Sequence, residues 1–144
     1  MPLILFQKYN ENYSRFIFNL RNKPYVRKSS INKKKINYYD HKRWISSFLK
    51  KKKNKLLIIK KKKNKMGFIR LEKNKHFYNL SWALLKSYHN RGIVSKSLKE
   101  ATNSRKLKYK AIIIKNNIPS IKSALNAGFS KKKVGNKYVY MQKN

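Results

Sequence analysis

The 144-residue chain carries 39 lysines and arginines against four acidic residues, a formal net charge of +35, with 40% hydrophobic residues and no cysteine. That length and apolar content suit one domain, spanning 1–144, with a core of its own, and the lack of cysteine excludes disulfides, thiolate catalysis and Cys-ligated zinc. No apolar run approaches the roughly 20 residues of a membrane span, and "MPLILFQKYNENY" has neither a basic segment before its apolar patch nor a small-residue cleavage site, so a cytoplasmic protein opening on a strand is expected.

Residues 2–9, "PLILFQKY", read as that short strand. Tyr13, Phe16, Ile17 and Leu20 follow at i, i+3, i+4, i+7, one face of a helix. A basic loop, "KPYVRKSSINKKKINYY", leads to Asp40 as the expected N-cap of "HKRWISSFLKK", whose stripe is Trp44, Ile45, Phe48 and Leu49. The period then changes. "KLLIIKKK" (55–62), "MGFIRLEK" (66–73) and "HFYNLSWALLK" (76–86) read as an antiparallel meander joined by short turns. A helix is expected from Gly92 to about Arg105, with Ile93, Leu98 and Ala101 toward the sheet. The unbroken apolar run in "YKAIIIKN" (109–116) predicts a strand covered on both faces. Asn117 caps a further helix with Pro119 in its first turn, and Gly128 closes it. "FSKKKVGNKYVYMQK" ends the chain as a hairpin around Gly135 and Asn136.

The order β-α-α-β-β-β-α-β-α-β-β predicts an α+β, or mixed α/β, sandwich: one sheet with helices on both faces. No repeat is visible. The lysine clusters at 33–35, 50–53, 60–63 and 131–133 sit in turns. Lys, Asn, Ile, Tyr and Phe are all over-used and share AT-rich codons, so base composition is the main source expected for the charge. A polyanionic partner is the other.

The stretch "SYHNRGIVSKSL" brings a glycine turn to the start of a helix. Such a turn is an anion site, because first-turn N–H groups lack intrahelical acceptors and the helix dipole is positive there. Arg91 and Lys96 add charge, and Gly92 lets backbone approach a bulky anion.

Order and motifs together resemble the GNAT acetyltransferase superfamily. "SWALLKSYHNRGIVSKSL" is similar to its fourth strand and pyrophosphate turn, (Arg/Gln)-x-x-Gly-x-(Gly/Ala), with His89 and Val94 departing from the pattern. "IIIKNNIPSIKSALNAGF" is similar to the next strand, its Asn, its helix and the terminal Gly-Phe. "LRNKPYVRKSSINKKKINYYDHKRWISSFL", "MGFIRLEKN" and "YNLSWAL" resemble the branch that acetylates UDP-linked amino sugars, as in pseudaminic acid synthesis. The resemblance implies a GNAT-like mixed sheet and an N-acetyltransferase using acetyl-CoA as co-substrate, with a small-molecule amine, that of a nucleotide-linked sugar, as acceptor. Two alternatives stand beside it: a ribosomal-protein-type N-terminal acetyltransferase, and a non-catalytic basic binding module. Nucleic acid is the less favoured partner, and a homodimer is left open.

The cofactor contacts implied are Leu84 and Leu85 at the strand end, His89, Asn90, Arg91, Gly92, Ile93, Val94 and Ser95 in the turn, and Asn117 with Ser120 beyond the fifth strand. A backbone N–H near Leu84 or Leu85 is the expected oxyanion donor. The Tyr that many members carry seven residues after the Asn is replaced by Ala124; Tyr88 and Tyr109 are near in sequence. Glu72, Ser81 and His41 are the candidates for moving the amine's proton. Arg21, Asn22, Val26, Arg27, Tyr38 and Tyr39 are expected on the substrate side, where basic groups suit a diphosphate. No histidine spacing fits a metal.

Overall fold

The computed structural model describes residues 3–5 and 8–144. Strand β1 (Leu3–Leu5) is followed by helices α1 (Glu11–Arg21), α2 (Pro24–Lys28) and α3 (Tyr38–Lys50). Strands β2 (Lys55–Lys61), β3 (Asn64–Lys73) and β4 (Tyr78–Leu84) form the meander. After a 3-10 turn at Lys86–Tyr88 come α4 (Ile93–Ala101), β5 (Tyr109–Ile114), α5 (Ile118–Asn126), β6 (Ser130–Val134) and β7 (Tyr138–Lys143). Pro2, Phe6 and Gln7 of the expected first strand lie outside the described residues.

The seven strands make one sheet in the order β1-β2-β3-β4-β5-β7-β6. Every pairing is antiparallel except β4 with β5. Apolar side chains fill both faces. One cluster gathers Ile17 and Leu20 of α1 with Ile45 and Phe48 of α3 against Leu56, Ile58 and Phe68. The other gathers Ile93 and Leu98 of α4 with Ile121 and Ala124 of α5 against Ile69, Leu80, Ala111 and Val139. The α+β arrangement of one mixed sheet between two helical layers is therefore present, because each helix buries its apolar stripe on one face.

Four local expectations need correction. The basic segment after α1 contains a helix, α2, which starts at Pro24 because a proline at the first helical position lacks only an N–H that would be unpaired anyway. Helix α3 is capped by Asn37, not Asp40. Asn37 is extended and its side chain accepts the Asp40 N–H at 2.8 Å. Asp40 is then a first-turn acid, its carboxylate accepting a bond from Asn37 Nδ2 at 3.0 Å at the positive end of the helix dipole. Helix α4 stops at Ala101, short of Arg105, where the Thr102 hydroxyl bonds the Leu98 carbonyl at 2.6 Å. Strand β5 is not covered on both faces: Tyr109, Ala111 and Ile113 are buried, but Ile112 is 40% exposed, fronting an opening in the sheet.

Candidate active site

That opening comes from two strands that part. Strands β4 and β5 pair only at Tyr78↔Tyr109, Asn79↔Lys110 and Leu80↔Ala111. Beyond Leu80 each follows its other neighbour. Strand β4 stays with β3 as far as Gly67↔Leu84, while β5 stays with β7 as far as Ile114↔Tyr138. A cavity of about 360 Å³ occupies the wedge. Its walls include Arg21, Trp44, Phe68, Arg70, Ser81, Trp82, Ala83, Ile112, Asn117 and Ser120, and residues from 29–36 form its roof. A broader groove of about 710 Å³ runs along α3 past Tyr39, Arg43 and Lys50, but all its walls come from that helix, so it is open surface.

Backbone direction at the wedge follows from strand geometry. The Leu85 N–H donates to the Met66 carbonyl of β3 at 2.8 Å. Successive residues of a strand point their N–H groups to opposite edges, so the Leu84 N–H faces the slot. Of the two donors expected near the strand end, Leu85 is thus committed to the sheet and Leu84 is the one presented.

The turn that follows leads straight to α4. Asn90 and Gly92 both have positive φ, 64° and 71°, and Gly92 is the N-cap, with no side-chain bond. The first intrahelical bond is Lys96 N–H to Gly92 carbonyl at 3.2 Å, which leaves the Ile93, Val94 and Ser95 N–H groups without intrahelical acceptors. A β-carbon on Gly92 would meet nothing within 4 Å, so the glycine is required by its φ and not by crowding. His89 is exposed, yet its Nε2 lies 3.0 Å from the Leu84 carbonyl and its ring packs edge-on to Tyr25 with centroids 5.8 Å apart. Val94 is half-buried and packs against the apolar cluster beneath the helix. Arg91 is exposed, 5.7 Å over the Tyr88 ring. The Ser95 hydroxyl reaches the Ser123 carbonyl at 3.4 Å, tying α4 to α5. Asn117 caps α5 through the Ser120 N–H at 3.4 Å while both residues line the cavity. An uncapped helix start beside a parted strand pair fits a diphosphate with an extended arm, so the residues present suit coenzyme A.

The three candidates for proton transfer are separated. Ser81 lines the cavity, directly opposite Arg70 on β3. Glu72 pairs with Asn79, two residues further toward the zipped end and outside the residues lining the cavity. His41 is fully buried between helices, its Nε2 donating to the Ser14 carbonyl at 2.9 Å. Burial, with Arg21 nearby, pushes its pKa down to about 4 against the bond to Ser14. Ala124 is wholly buried and Tyr109 stacks on Tyr78 at the zipped end, with rings 6.1 Å apart.

On the substrate side, Arg21 and Val26 reach the cavity. Asn22 instead clamps the roof, exchanging bonds with the Ile36 backbone at 2.7 and 2.9 Å. Arg27 holds the same segment through the Lys33 carbonyl at 3.1 Å. Tyr38 packs on α1, its hydroxyl donating to Glu11 at 2.7 Å, and Tyr39 is 70% exposed beside Arg43. Helix α2 braces the turn, its Tyr25 hydroxyl accepting the Lys86 N–H at 3.0 Å. Sequence reasoning missed Arg70, Trp44 and Trp82. For Arg70 a signal existed, a lone cation inside the apolar run "MGFIRLE".

The profile of the acetyltransferase (GNAT) domain matches residues 4–130. No curated protein matches in sequence. Among solved structures, AAC(6')-Ib in complex with ribostamycin and coenzyme A superposes with a TM-score of 0.80 at 13% identity, over 100% of this chain and 94% of that one. Ribosomal-protein-alanine N-acetyltransferase from Brucella melitensis gives 0.76 at 16%, over 97% and 98%. Campylobacter jejuni N-acetyltransferase PseH, in complex with acetyl coenzyme A, gives 0.73 at 16%, over 99% and 97%. At these identities the likeness is one of fold.

Proposed function

The chain belongs to the GNAT acetyltransferase family, and from that premise we propose that it is an acetyl-CoA-dependent N-acetyltransferase, one domain over 1–144, whose acceptor is the primary amine of a nucleotide-linked amino sugar. The observation that carries this reading is the wedge: β4 and β5 part after three paired residues, next to a helix start whose N–H groups are uncapped.

In this reading Asn90, Arg91 and the N–H groups of Gly92, Ile93, Val94 and Ser95 hold the diphosphate of the donor. Asn117 and Ser120 flank its arm, and His89 supports the turn through the Leu84 carbonyl. The Leu84 N–H donates to the acetyl carbonyl oxygen as negative charge develops there. The amine nitrogen forms the new bond to that carbon and the carbon–sulfur bond breaks. Ser81 passes the proton from the amine to water. Glu72 and His41, outside the cavity, take no direct part. The leaving thiolate is favoured by the surrounding positive charge, which offsets the apolar Ala124 at the helix position. Arg21 faces the acceptor, while Asn22 and Arg27 position the roof.

The test is release of free thiol from acetyl-CoA, offered with a UDP-linked 4-amino sugar, kanamycin, or a peptide beginning with alanine. Release with the amino sugar is expected. The catalytic reading falls if no amine on such a panel releases thiol; preferential use of the peptide overturns the acceptor alone.

A further inference from the structure

The cavity holds two arginines and no carboxylate to neutralise them. Arg70 stands mid-strand on β3, and its Nε is buried without a hydrogen-bond partner. Arg21 reaches the same cavity from the last turn of α1. Both guanidinium groups lie over the Trp44 ring, Arg21 at 4.8 Å and Arg70 at 5.6 Å from its centroid. Such contacts orient a cation without neutralising it. Lys34 lines the same space. Burial pushes the Arg70 guanidinium down and Glu72, two residues along β3, only partly opposes this; the one ion pair among the described residues is Arg15 with Glu11, on the outer side of α1. Burial and then the Arg70 charge pull the Arg21 guanidinium down to about 10.

We propose that Arg21 and Arg70, held over Trp44, form an oxyanion-binding site in the acceptor half of the cavity, so that the amine acetylated here belongs to a molecule carrying a phosphate or a carboxylate. The site rests on the acetyltransferase reading for its place but not for its chemistry. A guanidinium with an unpartnered buried N–H is completed by a two-oxygen acceptor. Ser81 stands opposite Arg70 across the strands, so an anion gripped there lies beside the group expected to handle the amine's proton. The same charges oppose a polycation, which would enter a cavity with Arg21, Lys34 and Arg70 in its walls and no acidic side chain among them.

The experiment uses the intact protein saturated with coenzyme A, so that the turn before α4 is filled. Quenching of Trp44 and Trp82 fluorescence is then titrated with pyrophosphate, malonate and kanamycin. Pyrophosphate or malonate should bind and kanamycin should not; which of the two anions binds tighter identifies the source of the charge. Arg70→Gln should weaken the favoured anion about ten- to a hundredfold, with Arg70→Lys intermediate and coenzyme A binding unchanged. The proposal is overturned by kanamycin binding more tightly than both anions, by quenching from neither anion, or by a folded Arg70→Gln that titrates like the parent. If Arg70→Gln does not fold, the order of the three probes on the parent protein decides. Failure to bind coenzyme A at the outset removes the acetyltransferase reading instead, and is read separately from the anion arms.

Discussion

His41 shows what one buried residue does to the molecule's pH response. Its ring is fully buried, its Nε2 proton is committed to Ser14, and its Nδ1 has no partner. Protonating that nitrogen would place a charge near Arg21 with nothing to receive it. In the folded protein the ring takes a proton only near pH 4, against 6.5 in the unfolded chain. Between those values the unfolded chain holds the extra proton, so stability falls as pH drops through this window, by up to about 1.4 kcal/mol per pH unit. Above 6.5 the ring contributes no slope. Glu11 adds acid sensitivity lower down, since bonds from Tyr9 and Tyr38 hold its carboxyl below the usual range. Replacing His41 by Leu should flatten the decline in Tm between about pH 6.5 and 4.5; equal declines in parent and variant would place the sensitivity elsewhere. Residue by residue, the site was legible only in part. The turn residues 89–95 carry their own signal, a glycine before an apolar helical stripe. Whether a side chain looks into the cavity or into a helix contact is set by packing, which is why Asn22, Tyr38 and His41 prove to be braces while Arg70 and Trp44 line the space.

At the scale of elements, the wedge depends on how closely β3 and β4 approach. A β-carbon on Gly67 would stand 2.3 Å from the Ala83 carbonyl oxygen and 3.0 Å from the Leu84 α-carbon. Both obstacles are backbone, so β4 itself would have to move, at the end where it leaves β5. Gly67→Ala should cost about 1–3 kcal/mol in chemical denaturation and should also weaken coenzyme A binding, because the Leu84 N–H is displaced with the strand. Gly135→Ala is the control: its nearest neighbour, the Tyr138 carbonyl oxygen, is at 3.4 Å, an ordinary contact. If Gly67→Ala loses stability but binds coenzyme A as the parent does, the strand end does not hold the donor. The order of elements was readable because apolar period separates strands from helices. Their starts were less so. Asn37 and Asp40 are both good caps, and only the backbone shows which one is extended. The parting of β4 and β5 leaves no mark in the sequence of either strand, since both remain apolar; it arises from each keeping its outer partner.

The charge of the whole molecule acts in two opposite directions, and this separates composition from function. With 39 cations and four anions, the folded chain repels itself, and added salt relieves that repulsion. The lysines at 131–133, expected in a turn, lie on the exposed strand β6, and like those around residues 50–53 and 61–63 they face solvent, where charges more than a Debye length apart, about 8–10 Å at physiological salt, are largely screened. Raising sodium chloride from about 50 to about 300 mM should therefore raise Tm. The same screening weakens attraction for acetyl-CoA, whose phosphates are drawn toward the uncapped start of α4 and Arg91. Its kcat/KM should fall several-fold over the same range, whereas kcat at saturating donor should hold. Charge that merely decorates the surface predicts the first effect alone. A rise in Tm with an unchanged kcat/KM for acetyl-CoA would thus leave the lysines to base composition, while opposite movements tie part of the field to capture of an anionic donor.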